Sequence, residues 1–370
     1  RGVAVPALVP FRPGGARPWR ADPRLPGRGG SRRCGAVEAR RAQWGIAPAA
    51  GLPGVVGPAG AAEGQHGRSV RARAEHWIRF GIDGWRLDVP EDIDDPAFWA
   101  DFRRRVRAIN PEAYLVGEIW RVSPEWVKGD RFDALMNYPL AEAILSFAGA
   151  GHLDEALLRA HHEYGPNVRP IDGPAFGARL TELMTAYEPK VVAVQLNLLD
   201  SHDTPRFHSL VRGDRAAYRL AVLLQATLPG APCIYYGDEI GLEGGLDPDS
   251  RRSFPRDEAT WDRELLAFVK AAVALRRDEA ALRRGSFRIS GAGGGALAFE
   301  RTLGEERVVV ALNAAEADVA LDLDLPGAAD CRLEPRPMPG IAAGPAQTVD
   351  PGGHARLAVA ARSAAVFRLA

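Results

Sequence analysis

Gly81-Ile82-Asp83-Gly84-Trp85-Arg86-Leu87-Asp88-Val89 is a short apolar run that carries an Arg and an Asp two positions apart. In a strand, residues i and i+2 face the same side. Arg86 and Asp88 therefore project together, a guanidinium beside a carboxylate. Charged side chains seldom sit in apolar surroundings without a partner or a task. An Asp closing an apolar run can equally be a helix cap or a turn residue, so this stretch alone decides little. Two further runs change the balance. Tyr114-Leu115-Val116-Gly117-Glu118-Ile119-Trp120 also ends in an acid, and the run from Val194 to Leu199 leads into Asp200-Ser201-His202-Asp203-Thr204. Strand-like runs that each deliver a carboxylate at their C-terminal end, with helical patterns between them, point to a site on the upper face of a β/α barrel.

Working outward, strands are predicted at Gly84–Asp88, Tyr114–Glu118, Ala134–Tyr138, Val194–Leu199 and Cys233–Tyr236. Helical periodicity predicts Pro96–Ile109, Ala141–Ser146, Leu153–Tyr164, Phe176–Tyr187 and Arg215–Thr227, and a longer amphipathic helix over Arg256–Arg277. Residues 74–80 read as the last turns of a helix closed by Gly81. Strands alternating with helices imply a parallel sheet. From about Leu282 the pattern becomes short apolar or alternating runs, such as Glu306–Leu312, Val319–Leu323 and Ala355–Val359, separated by turn residues. Those runs predict an antiparallel β-sandwich.

Composition bounds the rest. The chain has 370 residues, 46% hydrophobic and 25% charged, with a formal net charge of zero. That zero hides an asymmetry. Residues 1–73 hold 13 of the 47 basic residues but only three of the 47 acids, which leaves the remainder at a net −10. The acidic remainder offers no basic face for nucleic acid. Residues 1–73 also hold 14 Gly and 9 Pro and show no sustained apolar period. We expect them to be disordered, or to derive from a coding region read out of frame; a basic tail that contacts anionic partners is a further reading. The expected division is 1–73, then a β/α part at 74–281, then a β part at 282–370. Three distant cysteines, Cys34, Cys233 and Cys331, give neither a disulfide framework nor a metal spacing. No apolar run reaches the length of a membrane span, and the first ten residues make a poor signal peptide. A cytoplasmic location is expected.

The motifs Gly-Trp-Arg-Leu-Asp (84–88), Gly-Glu-Ile-Trp (117–120) and Ser-His-Asp-Thr (201–204), in this order, resemble signature regions of the α-amylase superfamily of retaining glycoside hydrolases. Phe132–Pro139, Gly230–Glu239 and Gly244–Arg252 extend the match, which looks most like the cyclomaltodextrinase, neopullulanase and maltogenic-amylase branch and runs from about Glu75 to the C-terminus. The resemblance implies that Asp88 is the nucleophile, Glu118 the general acid/base and Asp203 a third acid that holds sugar hydroxyls. Arg86 would keep Asp88 ionised, and the apolar neighbours Ile119 and Trp120 would favour the protonated form of Glu118. His202 would donate to a sugar hydroxyl. Trp120 would stack on a sugar ring, and Asp247 with Arg251 would either contact sugar or form a plain loop ion pair. Trp85 is expected in the core. Arg206 is expected to pair with Asp203 or another acid, and Glu239 to be structural.

The resemblance implies a partial (β/α)8 TIM barrel, strands four to eight, followed by the sandwich. The family also carries an Asp and an Asn-His pair near barrel strand three, which help hold calcium in many members; no Asp-x-x-x-Asn-His occurs here. We therefore expect no calcium site built that way and no cofactor. Strand four would lack a neighbour, and the chain as written is expected to be a catalytically impaired fragment. The implied substrate is an α-1,4-glucan: cyclodextrin, pullulan or a short maltooligosaccharide. A glucanotransferase on the same site and a non-catalytic glucan-binding remnant are the alternatives. No nucleic acid or membrane partner is expected, and the residues leave oligomeric state open.

Overall fold

The computed structural model describes residues 65–341 and 344–370. The expectations for residues 1–64 lie outside the described residues. At residues 65–73 the expectation of disorder is corrected, because helix α1 spans Gln65–Phe80. Helix α2 (Pro96–Ile109) supplies the reason. Ala74 and Ile78, one turn apart, are buried in one core with Phe98, Phe102 and Val106 of α2. Arg71 lies over the Phe98 ring at 4.7 Å and pairs with Asp101 at 3.0 Å. Packing of an amphipathic face, more than propensity, decides most helices.

Five short strands follow: β1 (Gly84–Leu87), β2 (Tyr114–Gly117), β3 (Ala134–Leu135), β4 (Leu196–Leu198) and β5 (Ala231–Cys233). β1 pairs with β2, β2 with β3, and β4 with β5, all in parallel, and a Met136–Leu196 bridge joins β3 to β4. The strands thus lie side by side in chain order, as successive strands of a β/α barrel do. Parallel neighbours need long crossovers. These are α2, then α3 (Tyr138–Ala148), α4 (Glu155–Ala160) and α5 (Gly173–Thr185), then α6 (Arg215–Thr227). Among the described residues no strand pairs with the outer edge of β1 or of β5.

The ends of elements follow local chemistry. The Asp95 carboxylate accepts from the Ala97 and Phe98 amides and starts α2 with Pro96 in its first turn. Asp214 caps α6 in the same way. Gly84 is required by contact: a Cβ there would come within 2.0 Å of the Tyr114 carbonyl oxygen. Several predicted boundaries move. Tyr138 opens α3 rather than closing a strand, and β5 lies earlier than predicted. The helix predicted over Leu153–Tyr164 breaks at His161, whose extended backbone ends α4. The helix predicted from Arg256 starts at Arg263 as α7 (Arg263–Asp278), capped by Asp262.

Eight strands make the C-terminal part: β6 (Ser286–Gly293), β7 (Ala296–Leu303), β8 (Glu306–Asn313), β9 (Val319–Asp324), β10 (Arg332–Pro335), β11 (Gln347–Thr348), β12 (His354–Val359) and β13 (Ser363–Leu369). Six form an antiparallel sheet in the order β11-β10-β13-β8-β7-β6, and β12 pairs with β9. The two inner faces share a core that includes Ala296, Ala298, Val309, Leu321, Leu357 and Phe367. The alternate residues Leu297, Phe299, Val308 and Val310 point the other way, into the core of α3, α5 and α6. Strands β7 and β8 are therefore apolar on both faces, and the sandwich is welded to the helices. Among the described residues no helix is long and apolar enough to cross a membrane.

Candidate active site

The C-terminal ends of the parallel strands surround a cavity of about 450 Å³ lined by Asp88, Glu118, Asp203, Trp120, Asp247 and the two histidines His161 and His162, among others. Asp88 follows β1, Glu118 follows β2, and Asp203 lies in the loop after β4. Arg86 stands at the centre. As the strand period requires, it faces the same way as Asp88, and its Nη1 donates to the Asp88 carboxylate. Its Nη2 lies 2.7 Å from Glu118 Oε1 and 3.9 Å from Asp203. The Glu118 contact is an ion pair without the angle of a hydrogen bond, since Nη2 makes no hydrogen bond of good geometry. The Nε of Arg86 contacts the Met136 sulfur at 3.3 Å.

The carboxylates differ in setting. Asp88 is open, its side chain 66% exposed. Glu118 is 4% exposed. Burial raises its pKa to about 7, against the lowering effects of Arg86 and of the Val89 amide. Asp203 is held below the usual carboxylate range, first by its hydrogen bond with His202 at 3.0 Å, with Arg251 adding to the effect. The Val89 amide reaches Glu118 Oε2 at 3.1 Å. To do so Val89 adopts φ 35°, a strained left-handed conformation for a β-branched residue.

Of the residues singled out in the sequence, Asp88, Glu118, Asp203, Trp120 and Asp247 line the cavity. Arg86, His202 and Arg251 stand behind them as partners. Arg251 bonds Asp203 at 3.0 Å and Asp247 at 2.7 Å, so the loop ion pair is real and belongs to the site. Trp120 lies flat against Tyr138, with ring centroids 3.6 Å apart. Glu239 accepts from the Gly237 amide. Arg206 does not reach Asp203. It is fully buried, pairs with Asp238 at 2.8 Å and donates to the Tyr236 and Ser250 carbonyls.

Two features escaped the sequence reading. The His161 Nδ1 accepts from the Tyr164 amide, so its Nε2 carries the proton and donates to the Asp203 carbonyl at 3.1 Å. Burial holds this imidazole below its ordinary pKa, which favours that neutral form. The other is a buried carboxyl pair. Asp200 and Asp238 interact with one another and with Arg206, and burial raises both. Asp200 also accepts from the Phe207 amide at 2.6 Å. A His three residues before a Tyr, or an Asp at the end of an apolar run, carries no sequence signal for either role.

Among the described residues no three His, Cys, Asp or Glu side chains converge as a metal site would need. No step below is routed through a metal.

Residues 66–285, more than half of the chain, match the family model described as the catalytic domain of alpha amylase. A cyclomaltodextrinase from a Bacillus species is 44% identical over 216 residues, which is 58% of this chain and 35% of that protein. Neopullulanase 2 of Thermoactinomyces vulgaris is 42% identical over 242 residues, 65% of this chain and 38% of that protein. The chain thus spans well under half the length of these relatives. The crystal structure of a debranching enzyme from Nostoc punctiforme superposes with a TM-score of 0.74 at 37% identity, covering 83% of this chain and 62% of that one.

Proposed function

Because this chain belongs to the alpha-amylase family, we propose that its site hydrolyses α-1,4-glucosidic bonds with retention of configuration, acting on cyclodextrins, pullulan or maltooligosaccharides. One observation carries the reading: three carboxylates converge on Arg86 in one cavity, with Glu118 raised to about 7 and Asp203 lowered. Titratable groups pushed apart in this way mark the acid and the ionised partners.

In the first half-reaction an Asp88 oxygen attacks the anomeric carbon. The glycosidic C–O bond breaks as Glu118 gives its proton to the leaving oxygen, and a glycosyl ester on Asp88 results. Glu118, now a carboxylate beside Arg86, takes a proton from water. That water attacks the anomeric carbon and displaces Asp88. Asp203, charged and held by His202 and Arg251, faces the developing positive charge on the sugar ring. Asp247, Arg251 and Trp120 bind the chain at the rim.

The relatives named cyclomaltodextrinase and neopullulanase support the α-glucan as substrate. The unpaired outer edge of β1 among the described residues supports a reduced turnover for this chain by itself. The division at residues 281/282 into a β/α part and a β part belongs to the same proposal; limited proteolysis near that junction checks it. For the reaction, the purified chain is incubated with β-cyclodextrin and maltotriose, and the anomer released is followed by proton NMR. A fluoro-sugar that arrests the ester is then located by mass spectrometry. The α-anomer and an adduct on Asp88 are expected; an inverted product, or glucan binding with no bond cleaved, would overturn the reading.

A further inference from the structure

A second cavity, of about 410 Å³, lies on the other side of the Trp120 loop, between α3 and α5. Its size falls within the roughly 300–1,000 Å³ of small-molecule sites. Glu142 of α3 stands in its wall, only 9% exposed. Its Oε1 accepts from Asn167 at 3.1 Å, and among the described residues no cation lies within ion-pair distance of it. A buried carboxyl with one amide partner is left short of donors, and a ligand that supplies them recovers the desolvation cost. Burial accordingly raises Glu142 to about 7.

The rest of the lining narrows the ligand. Arg169 and Arg179 bring guanidinium donors, while Trp120 and Ile171 bring apolar surface. Arg179 is held by Glu182 at 2.6 Å and Arg169 by the carbonyls of its own turn, so neither forms an ion pair with Glu142, although the Arg179 charge offsets part of the rise that burial causes. A cationic ligand would meet the arginines. An anionic one would meet Glu142. A neutral polyhydroxylated ring fits both, with hydroxyls that donate to the carboxyl and accept from the guanidiniums, and a C–H face for the apolar wall. Trp120 also lines the catalytic cavity, so the two spaces share one side chain.

We propose that this cavity is a second sugar-binding site that takes a glucosyl unit of an α-glucan. The site rests on its own geometry, and the identity of the sugar rests on the function proposed above. The mechanism uses neither Glu142 nor Asn167.

The test is calorimetric titration of the full chain with maltotriose, in a Glu118→Gln background that slows cleavage. Two binding sites per chain are expected. Glu142→Ala and, separately, the surface-accessible Arg179→Ala should each remove one site or weaken it about tenfold, the loss expected for a charged hydrogen-bond partner, while Asp203→Asn weakens the other. Thermal melting of each variant verifies the fold, and Arg179→Ala keeps the test valid if Glu142→Ala does not fold. One site that survives both cavity variants and is lost in Asp203→Asn overturns this proposal and leaves the catalytic reading intact. One site lost only in the cavity variants upholds it and removes the catalytic cleft as the glucan site. No binding at all overturns both.

Discussion

The two ends of the parallel sheet hold their carboxylates in opposite ways. At the β1 end, Asp88 is open to solvent and leans on a single guanidinium, Arg86, from a strand with one neighbour among the described residues. At the β4 end, Asp203 sits in a loop tied from below. Thr204 Oγ1 accepts from the Ser201 amide, Ser201 Oγ from the Asp203 amide, and His161 donates to the Asp203 carbonyl. Beneath that loop lies the fully buried Arg206–Asp238–Asp200 network. One acid is placed by charge, the other by a polar scaffold. Charge pairs at an exposed site are screened and individually weak, whereas a buried network is stiff and costly to break.

Predictions follow from pressing on each end. Glu118→Gln removes the proton that the open end depends on, and turnover of maltooligosaccharides should fall by about 10²–10⁴-fold, as for other general acids, with the melting temperature nearly unchanged. Arg206→Leu strikes the scaffolded end: leaving Asp238 and Asp200 without their cation should cost about 3–5 kcal/mol in denaturant unfolding. A cost under about 1 kcal/mol, in the range of a surface pair, would mean that the network does not hold the Asp203 loop. Arg86→Gln distinguishes the ends by pH. Turnover should decline on the alkaline side near pH 7, where Glu118 loses its proton. Arg86 lowers Glu118, so its removal should move that limb to higher pH; a pH–rate profile that stays in place contradicts the pairing. The same raised pKa makes Glu118's own contribution to stability fullest below about 4.5, the ordinary value, and that contribution is lost as pH rises through about 7. The smallest effect is expected for His161→Phe. It removes one donor to the Asp203 loop, and kcat should drop only several-fold, in keeping with about 0.5–1.5 kcal/mol for one hydrogen bond, with little change in KM.

Much of this was legible in the sequence because strands declare themselves through short-range pattern. Arg86 and Asp88 share a face by the two-residue period, and Glu118 falls at the end of its apolar run for the same reason. Helix α2 was legible to the residue because Asp95-Pro96 announces its start. The Asp200–Arg206–Asp238 network was not, since its charges look like unrelated acids and a base until β4 and β5 are placed side by side. His161 was hidden inside what reads as one helix; at the break there, its imidazole bonds a loop 42 residues away in the chain. Residues 65–73 were misread because their helix is held by α2, which local composition does not reveal.

The sequence by itself carried the parallel order of the elements and the alternation of apolar faces, consequences of periods of two and 3.6 residues, and it offered the candidate acids through the resemblance of its motifs to a known family. Only the tertiary structure decided which acid stays protonated. Glu118 and Asp203 have nearly the same intrinsic acidity. Burial raises one and a His202–Arg251 clasp lowers the other, and both depend on which groups the fold brings within a few ångströms.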